Sequence, residues 1–568
     1  MVYIKEVLSN NKKLAFAYLA VGLFNAFMAN YKADYFQKVV DGLAGKTLAL
    51  GGVLFYGAVL LISYGMNYLD EYPAKKLENG IYLDFKLLAL KKISRLDYAK
   101  YQKLGTGRLV QQIENGAAAG KSVLFDFWFS FLRGLAPTVL FSLYFIWKIN
   151  RNITYFLLAG YVVVFIVTNL LLNGLYQIKE KILDHEEALN HFLVRGFMEM
   201  PIFRLKGQFP AEIRRAGHAK ETIVSSKVKM NMIHEAFFTI FAFIVAALDI
   251  GILLYAHQSQ SLSIGEVVAL ITLIDNAYTP IAIFNVIYVQ YKLNKTAWMR
   301  FRDILDLEED PQLTEGAAFQ GLSREIRVEN LCFSYEGKEV LKGISLTLKK
   351  GEKAAFVGES GSGKSTLAKV LAGLLKYQQG GVFLDSSPLE GLSLETLYEK
   401  LSFLSQEAPV FDGTLRENLV FGKEVPDARI KEALEQVQLL PLLSSLPEGP
   451  ETRVGEKGAC LSGGERQRLV LARLWFEEPE IVILDEATSA MDNLTEAVAM
   501  KNAMERLSHA TVVAIAHRLQ TIKDFDRIFV FRAGKLIACG TFEELLEKSR
   551  YFLALYEKEK SPSKKELE

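Results

Sequence analysis

Gly358-Glu359-Ser360-Gly361-Ser362-Gly363-Lys364-Ser365-Thr366 is the stretch whose reading decides the fold of the second half of this chain. The apolar run Ala354, Ala355, Phe356 and Val357 precedes it, and Leu367, Val370, Leu371 and Leu374 follow at helical spacing. The sequence therefore predicts strand, glycine-rich loop and helix in succession. In that context the glycines let backbone N–H groups close on phosphate oxygens, and the helix N-terminus adds its positive dipole end. Lys364 then reaches the β- and γ-phosphates, and the Ser365 hydroxyl suits a Mg²⁺ ion.

Working outward, the apolar run Ile481-Val482-Ile483-Leu484 ends in Asp485-Glu486. Two carboxylates then stand at the carboxyl end of a buried strand, where open α/β sheets bind ligands. By themselves they would read as a helix cap. After a phosphate loop, Asp485 suits the Mg²⁺ shell and Glu486 the polarisation of an attacking water. Short β-rich runs at 326–328, 353–357, 382–384, 481–484 and 512–515 alternate with helical segments, which predicts an α/β domain with a mainly parallel core. The expected bounds are 324–557, with an acidic linker holding Pro311 and Gly316 at 306–323 and a disordered charged tail at 558–568.

The first 305 residues read differently. Half of the 568 residues are apolar, and mean hydropathy is +0.15. Stretches of the roughly 20 residues needed to cross a bilayer fall at 14–33, 48–69, 123–147, 153–175, 237–256 and 264–288, giving six expected spans. The basic start at 1–13 leads into the first of them without a small-residue cleavage site, so it reads as a span rather than a cleaved leader. Two long insertions, 71–121 and 177–234, are rich in Lys and Arg, which predicts that they are cytoplasmic. Their apolar periodicity predicts that they extend the spans as long helices. With 66 basic against 65 acidic residues, no global charge points to nucleic acid. Cys332, Cys460 and Cys539 have no metal-ligand spacing and read as reduced thiols.

Between the phosphate loop and Asp485 lies Leu461-Ser462-Gly463-Gly464-Glu465-Arg466-Gln467-Arg468, which resembles the signature of ATP-binding-cassette proteins. The resemblance covers the whole domain in motif order. It implies that Ser462, Gly463 and Gly464 bind the γ-phosphate of an ATP held by the opposite domain of a dimer. Tyr335 resembles the aromatic that stacks on adenine, and Gln406 the glutamine that joins the Mg²⁺ shell. Residues 452–458 resemble the segment that contacts cytoplasmic helices. Ser489-Ala490-Met491-Asp492 resembles the loop that crosses the dimer, with Met491 in place of the usual leucine, and His517 resembles the histidine at the γ-phosphate. Glu465 stands where glutamine is commoner.

The first half is similar to the exporter-type membrane domain: Gly105-Thr106-Gly107-Arg108 and Ser263-Ile264-Gly265-Glu266-Val267 sit where that family has similar segments. On this resemblance, short helices near 107–120 and 210–217 couple the membrane domain to the cassette. The chain is then an ATP-hydrolysing half-transporter in the inner (plasma) membrane, using ATP and Mg²⁺, with a second copy or sister chain as partner and the bilayer around it. The expected cargo is a lipophilic drug, peptide or lipid moved outward. The rivals are import of a metal–siderophore or other polar cargo, and a cassette ATPase acting on nucleic acid or ribosomes. Asp249 and Asp275 are candidate cavity residues, and Phe36, Tyr278, Phe284 and Tyr288 are candidate pocket aromatics.

Overall fold

The computed structural model describes residues 2–104, 106–259, 261–455, 460–516 and 518–560. It divides into two compact units. One comprises Met1–Ser94 and Gly105–Leu307, and the other Arg95–Leu104 and Glu308–Glu568.

The first unit is helical. Its elements are α1 (Val2–Ala44) and α2 (Leu50–Ile93); then, after α3 (Tyr98–Leu104) of the other unit, α4 (Thr106–Lys121), π-helical turns at Ser122–Phe129 and Phe131–Leu135, α5 (Ala136–Ile149), α6 (Arg151–Met198), α7 (Met200–Leu205), α8 (Phe209–Ser259) and α9 (Ile264–Leu305). At 1.5 Å per residue the 44 residues of α2 run about 66 Å, twice the hydrocarbon thickness, so the insertions do continue the spans as helices. Among the described residues, five stretches are long and apolar enough to cross a bilayer: Tyr3–Ala44, Leu50–Ile93, Leu109–Ile149, Phe209–Gln258 and Ile264–Leu305. The fourth expected span, 153–175, falls in α6, where the side chains of 164–165 and 167–174 lie outside the described residues.

Several polar groups within these helices bond to one another. Buried Asn30 accepts from Ser142 Oγ at 2.6 Å, and buried Asp34 accepts from Lys148 Nζ at 2.7 Å. Arg133, in the second π-helical turn, pairs with Asp70 of α2 and donates to Tyr18 Oη of α1 at 2.7 Å. Tyr278 is fully buried and donates to the Leu157 carbonyl at 2.9 Å. It is therefore core rather than pocket lining. Asp249, on α8, has one buried carboxylate oxygen without a hydrogen bond, and Asp275, on α9, is exposed.

Residues 107–120, expected as a coupling helix, belong mainly to α4 of the helical unit. The reason is steric: Gly116 and Gly120 let α4 lie against the aromatics of α9, and a Cβ on Gly116 would stand 2.2 Å from Phe301 Cβ. The ten residues before it do join the other unit. The Arg95 carbonyl accepts from Asp310 N at 2.8 Å, Tyr98 and Ala99 pack on that unit's core, and Lys103 pairs with Glu336 at 2.9 Å. Residues 210–217 open α8, with α7 just before it.

The second unit holds two sheets. An antiparallel one, in the order β2-β1-β4-β5, is built from β1 (Glu325–Tyr335), β2 (Lys338–Lys349), β4 (Gln379–Leu384) and β5 (Ser387–Pro388). The other runs β10-β9-β3-β8-β7-β6, from β3 (Lys353–Val357), β6 (Leu401–Leu404), β7 (Ile481–Asp485), β8 (Thr511–Ile515), β9 (Arg527–Arg532) and β10 (Lys535–Gly540). All its pairings are parallel except β9 with β10. Along β3, Ala355 and Val357 enter one core while Ala354 and Phe356 enter the other, so the sheet is covered on both faces, as parallel sheets require. The expected strands are present and the core is mainly parallel, while the antiparallel sheet adds a layer that the apolar runs did not announce.

Gly116→Ala puts a methyl against the stiff Cβ of Phe301, so it should cost about 1–3 kcal/mol through overpacking. Thermal unfolding of the detergent-purified chain would register this as a lower midpoint.

Candidate functional site

The phosphate loop leaves β3 at Val357 and enters helix Lys364–Leu371 through Gly363 at φ +101°. Gly358 has φ +148°, and a Cβ there would lie 2.2 Å from the Phe531 carbonyl oxygen. Only glycine fits that turn, because it combines a positive φ with close backbone approach. Lys364 is buried and donates to the Gly358 and Glu359 carbonyls at 2.8 and 2.9 Å. Its ammonium is thus held within the loop that would cradle phosphate. Burial pushes the Lys364 pKa down, while Glu486 and Asp485 pull it back up.

Strand β8 separates β3 from β7, and Ser365 reaches across it, donating to Asp485 Oδ1 at 2.8 Å. Burial raises the Asp485 pKa, the Ser365 hydrogen bond lowers it and the neighbouring Glu486 raises it again. Gln406, just past β6, donates to the Glu486 carboxylate. Glu486 has φ +52°, a left-handed conformation that is uncommon outside glycine. Lys364, Ser365, Gln406, Asp485 and Glu486, widely separated in sequence, are therefore gathered at the carboxyl ends of β3, β6 and β7. The oxygen donors Ser365 and Asp485, with the Gln406 amide nearby, fit a hard divalent cation such as Mg²⁺.

Other expected residues stand apart. Ser462 caps helix Gly463–Ala472: its Oγ accepts from Glu465 N at 3.3 Å, and the Glu465 carboxylate accepts from Ser462 N at 2.7 Å. This reciprocal box explains Glu465, and the bonds from Ser462 hold the Glu465 carboxyl below its usual pKa. Tyr335 ends β1, partly exposed, edge-on to Phe333 with centroids 4.8 Å apart. Asp492 caps helix Asn493–Arg506, accepting from Thr495 N at 2.9 Å. His517 and residues 456–458 lie outside the described residues.

Two buried side chains that the sequence did not single out hold the loops in place. Arg473 donates to the Asn418 carbonyl at 2.9 Å and the Pro409 carbonyl at 2.8 Å, and burial depresses its pKa to about 10. Gln467 donates to Ser489 Oγ at 3.0 Å and accepts from Ala490 N at 2.7 Å. It thereby ties the signature helix to the loop after Glu486. The quoted signature already contained Gln467, but nothing in its spacing tells a bonding glutamine from a surface one.

Residues 341–489 match the family described as ABC transporter. A Bacillus subtilis protein named as the uncharacterized ABC transporter ATP-binding protein YwjA is 36% identical over 300 residues, 52% of each protein. An ATP-dependent lipid A-core flippase of Alcanivorax borkumensis is 28% identical over 544 residues, covering 94% of this chain and 91% of that one. A solved structure of a bacterial Atm1-family ABC exporter with ATP bound superposes with a TM-score of 0.82, at 22% identity, over 98% of this chain and 100% of the other. That last likeness speaks to the fold.

Because the Asp485 pKa is raised in the folded state, its ionised form destabilises the nucleotide-free protein as pH rises through that raised value. Asp485→Asn should therefore raise the neutral-pH thermal midpoint of the nucleotide-free protein and abolish the upward shift on adding MgATP, both readable by thermal unfolding. Ser462→Ala removes a helix cap worth about 1 kcal/mol and should lower the ATPase rate. An unchanged rate in a steady-state assay would remove Ser462 from the reaction.

Proposed function

We propose that the chain is an exporter-type half-transporter of the ATP-binding-cassette family, a membrane domain fused to an ATPase domain, and that two such subunits drive outward movement of an amphipathic cargo: a lipid, lipophilic drug or peptide. The observation that carries this reading is the gathering of Lys364, Ser365, Gln406, Asp485 and Glu486 by hydrogen bonds and electrostatic coupling, in a chain that also carries five membrane-length apolar stretches.

In the proposed cycle the phosphate loop binds ATP and Lys364 neutralises its β- and γ-phosphates. Mg²⁺, when bound, offsets charge on the phosphate oxygens, with Ser365 and Asp485 as ligands and Gln406 beside them. Glu486 accepts the hydrogen bond of the attacking water and takes its proton as the water oxygen bonds to the γ-phosphorus, while the bond from that phosphorus to the β–γ bridging oxygen breaks and ADP and inorganic phosphate leave. Tyr335 stacks on adenine, and His517 completes the γ-phosphate contacts. The tip Ser462-Gly463-Gly464, with Ser462 exposed and both glycines half-buried, offers the Ser462 hydroxyl and the Gly463 and Gly464 backbone N–H groups to the γ-phosphate of an ATP held by the partner subunit, a second copy or a sister chain.

Cargo class rests on the long alignment with a protein named as a lipid A-core flippase. It also rests on the polar pairs Asn30–Ser142 and Asp34–Lys148, whose mutual bonds account for these groups without a polar cargo. The Lys and Arg residues of both insertions support an inner-membrane orientation with the cassette in the cytoplasm. Division of labour follows the expected bounds: membrane transit by 1–305, linkage by 306–323 and ATP turnover by 324–557.

Glu486→Gln keeps the shape and the hydrogen bond with Gln406 but cannot take a proton. It should retain nucleotide binding while hydrolysis falls about 10²–10⁴-fold, and in sealed vesicles with outward-facing cassettes it should lose ATP-driven lipid translocation. Undiminished turnover would remove Glu486 as the base. Cargo accumulating only on the cassette side would convert the reading to import.

A further inference from the structure

Behind Glu486 lies a polar knot that the proposed reaction does not use. Glu496, in the first turn of helix Asn493–Arg506, is only 3% exposed. One of its carboxylate oxygens accepts from Thr488 Oγ1 at 2.7 Å, and the other pairs with the Arg518 guanidinium. Arg518 uses its other terminal nitrogen to donate to the Met491 carbonyl at 3.0 Å. The helix needs no cap from Glu496, because Asp492 already supplies one.

The knot joins three pieces of chain: the loop that follows Asp485-Glu486, the first turn of the helix after it, and the segment leaving β8, where Arg518 follows His517 directly. From the opposite side, Gln467 of the signature helix holds Ser489 and Ala490 of the same loop. A cavity of about 80 Å³ lies here, lined among others by Glu486, Thr488, Glu496, Met500, Ala514 and Arg518. On that side, hydrogen bonds to Glu496 and Arg518 do what packed side chains do elsewhere in the core. A buried ion pair is a poor route to stability, because a well-packed apolar pair of similar volume is often as stable or more so. Its physical return is geometry, since the guanidinium and carboxylate fix directions as well as distances.

We propose that Glu496 and Arg518 are positioning residues for ATP hydrolysis, holding the Glu486–Asp492 loop, the helix that follows it and Arg518 in one fixed relation. The inference rests on the assignment of Glu486 and the phosphate loop to ATP turnover. Misplacing a reacting group by about 1 Å can cost on the order of 10²-fold in rate, so loosening the knot lowers kcat. ATP itself is held by the phosphate loop, so KM is little affected.

The test uses the purified full-length protein in lipid nanodiscs with MgATP. It compares wild type, Thr488→Val, and the apolar double variant Glu496→Leu with Arg518→Met. Expected are a kcat at least 10-fold below wild type in the double variant and at least 3-fold below in Thr488→Val, a KM within twofold in both, and a thermal midpoint in the double variant close to wild type. Thr488→Val preserves shape and leaves the ion pair intact, so it reports even where the double variant does not fold. Wild-type kcat in Thr488→Val, or recovery of both midpoint and kcat in the double variant, would reduce the knot to a structural pair. A wild-type protein that turned over no ATP would instead overturn the hydrolytic assignment on which the inference stands.

Discussion

The insertion of β8 between β3 and β7 is the constraint on which the cassette's chemistry depends. It sets the phosphate loop and the Asp485-Glu486 pair two strand spacings apart, roughly 10 Å. That gap can hold a nucleotide's terminal phosphates between a cation on one side and carboxylates on the other. The Ser365 hydroxyl bridges it to Asp485 at 2.8 Å. Lys364 is kept inside by carbonyls of its own loop. Burial works against both the Lys364 ammonium and the Asp485 carboxylate, and the attraction between Lys364 and the two carboxylates works the other way.

The second constraint is that one short loop must serve two masters. Residues 486–492 begin with the proposed base and end with the cap of the next helix, and they touch both the signature helix, through Gln467, and the β8 exit, through Arg518. The left-handed backbone at Glu486 is tolerated because both sides of the loop are bonded. A strained residue persists only when its surroundings over-determine it.

Legibility from sequence followed the range of the interactions. The phosphate loop could be read because strand, glycines, lysine and helix lie within about twenty residues and their spacing is itself the chemistry. Asp485 and Glu486 could be read because a buried strand announces itself as an unbroken apolar run. Arg518 and Glu496 could not, because each acts on a partner more than twenty residues away and a surface arginine or glutamate has the same local pattern. Gly116 shows the same limit in the helical unit: its meaning is Phe301 of α9, and the periodicity of residues 107–120 is identical whether the helix joins a bundle or a coupling element. The pairing of Arg133 with Asp70 was hidden likewise, since the π-helical turn that carries it has no sequence signature.

The segment Arg95–Leu104 lies in sequence between helices of the helical unit but belongs to the other unit. It folds with the cassette through the Arg95–Asp310 backbone bond, the packing of Tyr98 and Ala99, and the Lys103–Glu336 pair next to Tyr335. The exposed ion pair contributes at most about 1 kcal/mol; the half-buried Tyr98 and the backbone bond do most of the anchoring. Yet this segment is preceded in the chain by α2 and followed by α4. Because the backbone is continuous, a displacement of this segment is passed to the ends of α2 and α4. Helices of 40 to 50 residues are stiff enough to carry such a displacement, whereas flexible loops of that length would absorb it.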